Sequence, residues 1–403
     1  MRHRTGALPA AAAALALLAA PQAAYAAADP GPHLDGGGEC AFPMREQFEG
    51  RPWPLQRVLL DALWKDTRGK GVRVAVVDTG VDTTNPQLTA AVDRSAGIDY
   101  TGTGGDGTLD ESGHGTKVAG IIAARPRAGT GFVGLAPEAT VIPVRQNDGR
   151  HSGRDSTMAA GIDHAVAEGA GVINISQDTS RPLTEDSVLG RAVARAVAED
   201  VVVVASAGND GADGRSGNTY PAAFPGVLAV AASDRDDERA AFSQPGDFVD
   251  VAAPGVDIVS TVPGNGQCTD NGTSFSAPYV SGVAALLRAK YPDWTAPQIA
   301  ARIEQTAQRS VNGRDPFVGW GVVDPVRALS GDAAPQDAPH PGPAPAGALA
   351  PEPARLSADG PERRRTKRYA AYALSAAVVL VGAVAGTTTV ARDLRRRRSP
   401  RPR

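Results

Sequence analysis

Cysteine is scarce: the 403-residue chain has two, Cys40 and Cys268. A framework of several disulfides is excluded, leaving one bridge in an oxidising compartment or two free thiols. Acidic residues with metal-ligand spacing are also lacking. Asp106, Asp110 and Glu111 read as charges on a solvated loop, so no metal and no cofactor is expected. Internal repeats are absent. Net charge is small, at −3, but it hides two opposite parts. From residue 363 onward there are 12 basic groups against Asp393 alone, and Arg2 and Arg4 sit near the start, which leaves −16 on residues 29–362. An acidic body of that size argues against nucleic acid as a partner. The basic tail suits a membrane surface.

What is present begins with two apolar segments at opposite ends. Arg2 and Arg4, the run Ala10 to Ala20, and small residues at Ala24-Tyr25-Ala26 or Ala26-Ala27-Ala28 have the layout of a secretory signal, expected to be removed as residues 1–28. Residues 369–391 carry no charge over 23 positions, roughly 34 Å as a helix and enough to cross a hydrocarbon core. An exported body would leave the basic tail, residues 392–403, in the cytoplasm, although basic residues flank the span on both sides. Residues 331–362 form a Pro/Ala-rich linker, with prolines at 335, 339, 341, 343, 345, 351 and 353. Such a segment stays extended.

Between these ends, short β-branched runs alternate with longer helical ones. VRVAVVD, TVIPVRQ, GVINIS, VVVVASAGN and VLAVAAS read as strands buried on both faces. Residues 157–168, 188–199 and 276–290 read as intervening helices, so the pattern predicts a doubly wound α/β domain over residues 66–330. An N-terminal extension, residues 29–65, precedes it and ends in an amphipathic stretch from Leu55 to Trp64. It is short for a separately folding pro-domain.

Chemistry collects at the ends of these strands. Asp78 closes VRVAVVD ahead of a Thr79-Gly80 turn, the place where α/β sheets gather catalytic groups. The Asp-Thr-Gly triplet also occurs in aspartic proteases, which need two such carboxylates on an all-β framework, and this chain has one copy among β/α units. His114 lies in ESGHGTKVAGIIAA, a glycine-flanked turn entering an apolar helix. Ser274 lies in NGTSFSAPYVSGVAALL, where a helix is expected to begin at or just after it, aiming the serine N–H at an oxyanion. Asn209 ends VVVVASAGN and offers a side-chain amide to the same oxyanion. Each segment alone is a weak signal; the four in this order are strong.

VVDTG, GHGTKVAG and GTSFSAPYVSG in this order, with spacings of 36 residues from Asp78 to His114 and 160 to Ser274, resemble the subtilisin-like serine protease superfamily. The resemblance covers residues 50–330. It implies a mainly parallel subtilisin-type sheet, a triad of Asp78, His114 and Ser274, and an oxyanion hole formed by Asn209 and the Ser274 N–H. It also implies substrate-cleft edges at His151, Ser152 and Gly153 and at Ser176, Gln177 and Asp178. The whole layout, from signal through linker to membrane helix, resembles the mycosins, membrane-anchored subtilases of type VII secretion systems. That implies protein or peptide substrates and a type VII membrane complex as partner, with a structural subunit of that complex as the alternative role. Departures are Lys117 where many subtilases have a second histidine, Gln177 and Asp178 where small residues are usual, a short loop over residues 147–155, and one cysteine pair. A Cys40–Cys268 bridge would tie the extension beside the active site as a brace.

Overall fold

The apolar runs become the centre of a parallel sheet in the computed structural model, which describes residues 44–341, apart from 103, 150–152, 214–216, 310 and 332–333, together with residues 361–397. Seven strands pair: β1 (Arg73–Asp78), β2 (Ile98–Asp99), β3 (Thr140–Arg145), β4 (Val172–Ile175), β5 (Val202–Ser206), β6 (Val227–Ser233) and β7 (Val251–Pro254). Their order is β2-β3-β1-β4-β5-β6-β7, and every pairing is parallel. The five strands expected from sequence are β1, β3, β4, β5 and β6. Short β2 and small-residue β7 carry too little β-branched signal to stand out.

Pleating sends alternate residues of one strand into two cores. From β1, Val74 and Val76 enter a cluster with α3 (His114–Ala123), α6 (Thr273–Lys290) and α7 (Ala296–Thr306). Ala75 and Val77 enter the other, with α4 (Asp155–Ala167) and α5 (Val188–Ala198). Helices therefore cover both faces, which is why the strands read as unbroken apolar runs. Helix α6 runs through the larger core with nearly every side chain from Thr273 to Leu287 buried. A helix apolar on all sides belongs in such an interior.

The expected amphipathic stretch forms two short helices, α1 (Trp53–Arg57) and α2 (Leu60–Leu63), interrupted at Val58 and Leu59. Trp53, Leu55, Leu60 and Leu63 are buried by it, and the Trp53 and Trp64 indoles donate to the carbonyls of Val256 and Leu135. Upstream, residues 44–48 lie along an antiparallel hairpin of β8 (Ile258–Thr261) and β9 (Gln267–Asp270). The Gln267 N–H donates to Glu46 O at 2.8 Å, and the Phe48 N–H donates to Gln267 Oε1 at 2.8 Å. From the hairpin, Ser260 and Thr261 hydroxyls donate to the carbonyls of Lys117 and Thr116 in α3.

After the short α8 (Pro325–Leu329), whose N-terminus is capped by the Asp324 side chain accepting from Arg327 N, the chain divides near residue 342. The second unit contains α9 (Pro361–Arg397). Its segment Arg365–Leu394 is long and apolar enough to cross a membrane, and the sequence-predicted span 369–391 falls inside it.

Candidate active site

Strand order reverses beside β1: the chain adds β3 on one side of it and then returns to place β4 on the other. A crevice opens at the carboxyl ends of such strands. Asp78 is the last residue of β1 and is fully buried. Its Oδ1 accepts from the Thr79 N–H at 2.8 Å and lies 2.7 Å from His114 Nδ1. With Nδ1–H donated to the carboxylate, the Nε2 lone pair is left facing away from it. His114 opens α3, and Gly115 lets the helix approach, since a Cβ there would sit 2.1 Å from Gly80 O. Burial lowers the basicity of this imidazole, but the charge and hydrogen bond of Asp78 outweigh it, and the net shift is upward from 6.5.

Asp110 is a correction to the sequence reading, because it is buried rather than part of a solvated loop. Its Oδ1 accepts from Thr79 Oγ1 at 2.9 Å and Gly113 N at 2.8 Å, and its Oδ2 from Thr116 N at 2.9 Å and Thr116 Oγ1 at 2.6 Å. The Thr79 hydroxyl in turn accepts from Gly115 N at 3.0 Å. The residue after Asp78 and the residues on both sides of His114 are thus tied to one carboxylate. Burial pushes its pKa up against these hydrogen bonds. The neighbouring acids are charge-paired, Asp106 with Arg94 and Glu111 with Arg145.

Helix α6 starts at Thr273, one residue before Ser274. The Ser274 N–H falls in the first helical turn, where amides have no partner within the helix. Ser176 Oγ donates to Ser274 O at 2.8 Å, fixing the turn to the end of β4. Asn209 Oδ1 accepts from Thr273 N at 2.9 Å and Thr273 Oγ1 at 3.0 Å. Anchored through its oxygen, the Asn209 amide keeps both Nδ2 protons for another acceptor. No hydrogen bond joins Ser274 Oγ to His114 here, but both residues line the same cleft. Such contacts often tighten only when substrate binds.

That cleft measures about 920 Å³ and is also lined by Gly153, Ser176, Gln177 and Asp178. Of the other predicted edge residues, His151 and Ser152 lie outside the described residues. Strand β4 ends at Ile175, so residues 176–178 form a wall beyond the sheet rather than part of it. Gln177 Oε1 accepts from the amides of Gln146 and Asn147, linking the ends of β4 and β3 through side chains. Lys117 is buried and pairs with Asp270 at 2.6 Å. Cys40 lies outside the described residues, among which no free cysteine occurs. Sequence reasoning misread Asp110 and gave Thr273, Gln146 and Asn147 no role at the site; the acid four residues before His114 was the one available signal.

Residues 69–321 match the Subtilase family, Peptidase S8. Mycosin-4 of Mycobacterium tuberculosis is 40% identical over 377 residues, which cover 83% of this chain and 81% of that protein. The chain belongs to the subtilase family, as a mycosin. This mycosin also resembles the crystal structure of MycP1 from Mycobacterium smegmatis, with a TM-score of 0.64 and 34% identity over 76% of this chain and 92% of that one. Thermitase of Thermoactinomyces vulgaris is 36% identical over 70% of this chain and 97% of its own length. The mycosin is therefore a subtilisin-type serine endopeptidase, and its fold is the mainly parallel one that the sequence predicted.

Proposed function

We propose that the protein is a membrane-anchored, extracytoplasmic endopeptidase in which Ser274 attacks the scissile carbonyl of a protein substrate. His114 Nε2 accepts the serine proton and later delivers it to the leaving amine, while buried Asp78 orients the ring and stabilises the imidazolium. The oxyanion of the tetrahedral intermediate lies between the Ser274 N–H and Asn209 Nδ2. Its collapse gives an acyl-serine, which water hydrolyses with His114 as base. The observation that carries this reading is the 2.7 Å contact between Asp78 and His114 on a cleft that Ser274 also lines.

The same reading assigns residues 1–28 to a removed signal, 29–65 to an extension, 66–330 to the catalytic domain, 331–362 to a linker, 369–391 to the membrane span and 392–403 to a cytoplasmic tail. It pairs Cys40 with Cys268, which the lack of free cysteines among the described residues supports. Solved relatives include a protease described as an essential component of the type VII (ESX-1) secretion system. This supports action alongside a type VII secretion complex, with proteins outside the membrane as substrates.

A fluorophosphonate probe tests the chemistry: the full chain should be labelled, and Ser274→Ala should abolish both labelling and cleavage. In cells, Ser274→Ala at normal expression should stop cleavage of a secreted protein. If the complex requires the protein yet no cleavage is found, a structural role replaces the enzymatic one.

A further inference from the structure

Beside the oxyanion donor, on the wall of the cleft, stands a carboxylate that the catalytic steps leave unused, that of Asp178. Gly208, the residue before Asn209, has φ +99°, and a Cβ built on it would lie 2.9 Å from Thr219 Cγ2, 3.0 Å from Asp178 Oδ2 and 3.5 Å from Gln244 Cβ. Those distances leave no room for a side chain, so the backbone before Asn209 packs directly against Asp178, Thr219 and Gln244. The contact is held in place: Thr179 and Tyr220 exchange backbone hydrogen bonds at 2.9 Å, Thr219 Oγ1 donates to Ala207 O at 2.8 Å, and Gly208 N donates to Thr273 Oγ1 at 3.2 Å.

Among the described residues Asp178 has no ion-pair partner, and the charge that acts on it is another acid, Asp210, which directly follows Asn209. The surrounding protein and that second negative charge together raise Asp178 to about 6. The cleft's arginines do not neutralise it: Arg181 pairs with Asp155, and Arg154 stands exposed at the start of α4. Asp178 nevertheless remains open to the cleft that contains His114 and Ser274.

Geometry decides which substrate residue it meets. If the scissile carbonyl oxygen lies between Asn209 and the Ser274 N–H, the residue that owns this carbonyl carries its side chain on the Cα next to the reacting carbon. That side chain passes the Gly208 backbone adjoining Asn209, against which the Asp178 carboxylate lies. We infer that Asp178 is a specificity-determining residue that selects lysine or arginine immediately N-terminal to the scissile bond, with Asp210 adding to the negative field. A long cationic side chain supplies the counter-charge that the wall lacks, whereas a large apolar one leaves the carboxylate desolvated and unpaired.

This inference rests on the serine-protease reading of the site, and the test separates the two. The full chain in detergent is titrated with a fluorophosphonate probe, and kcat/KM is measured for matched peptides with Lys, Arg, Leu or Phe before the cleaved bond. Labelled enzyme should favour Lys and Arg at least tenfold at pH 8, and the preference should shrink below pH 6. Asp178→Asn, shown folded by continued labelling, should reduce the Lys-to-Leu ratio at least tenfold. Labelled wild-type enzyme that prefers Leu or Phe, or an unchanged ratio in Asp178→Asn, overturns the specificity while leaving the protease reading intact. Failure of the wild-type chain to label overturns the protease reading and the specificity with it.

Discussion

Replacing Asp110 with alanine tests how much of the active site depends on a residue outside the triad. The change removes the acceptor of four hydrogen bonds, from Thr79 Oγ1, Gly113 N, Thr116 N and Thr116 Oγ1. The two hydroxyls can rotate, but the two buried amides cannot find new partners. At about 1–3 kcal/mol for each stranded donor, and with a small cavity added, the expected loss of stability is about 3–5 kcal/mol. A shift of His114 by about 1 Å should in addition cost roughly 100-fold in kcat/KM. Urea unfolding followed by tryptophan fluorescence measures the first effect, and peptide hydrolysis under conditions where the variant remains folded measures the second. Glu111→Ala is the control: that side chain is 45% exposed and reaches Arg145 only at 3.5 Å, so its loss should cost under about 1 kcal/mol. A loss below about 1 kcal/mol in Asp110→Ala, with kcat/KM within about threefold of wild type, would refute the clamp.

Three further outcomes are expected. Because Asp78 raises the basicity of His114, and only neutral imidazole takes the serine proton, kcat/KM should fall as pH drops through an apparent pKa above 6.5; an acid limb below that value contradicts the pairing. Asn209→Ala should lower kcat by about 10²–10³ with a small change in KM, and equal effects on both constants would place Asn209 in ground-state binding. Glu304 is lifted to about 8, by burial first and the charge of Asp250 second, so between its ordinary 4.5 and 8 the folded chain holds a proton that the unfolded chain releases. Stability from this group is therefore present in acid and lost as pH rises through 8, and Glu304→Gln should raise the urea midpoint at pH 8 but not at pH 5.

The sheet was readable because parallel strands covered on both faces leave continuous apolar runs, as in Val201 to Ala205. Asp78, His114, Asn209 and Ser274 stood out because each sits where a run or helix begins or ends. Asp110 was misread because its environment is assembled by Thr79 and Thr116, thirty-one and six residues away, and no local pattern distinguishes it from exposed Glu111. The packing around Gly208 was invisible for a similar reason, since Asp178, Thr219 and Gln244 reach it only in the folded chain. Gln177 and Asp178 were noticed as unusual, yet the sequence gives no hint that one bridges two strand ends while the other stands unpaired.

The strip of chain from residue 44 to 48 has a consequence for any processing of the N-terminus. A two-stranded hairpin is marginal by itself, and an uncovered strand edge invites pairing with another molecule. Here β9 has its outer edge occupied through Gln267 N and Glu46 O, while β8 grips the helix that begins with His114. Trimming past Phe48 would expose a sticky edge and loosen the grip on the imidazole together. Maturation that removes residues 44–48 should therefore yield a product prone to self-association and weaker in catalysis.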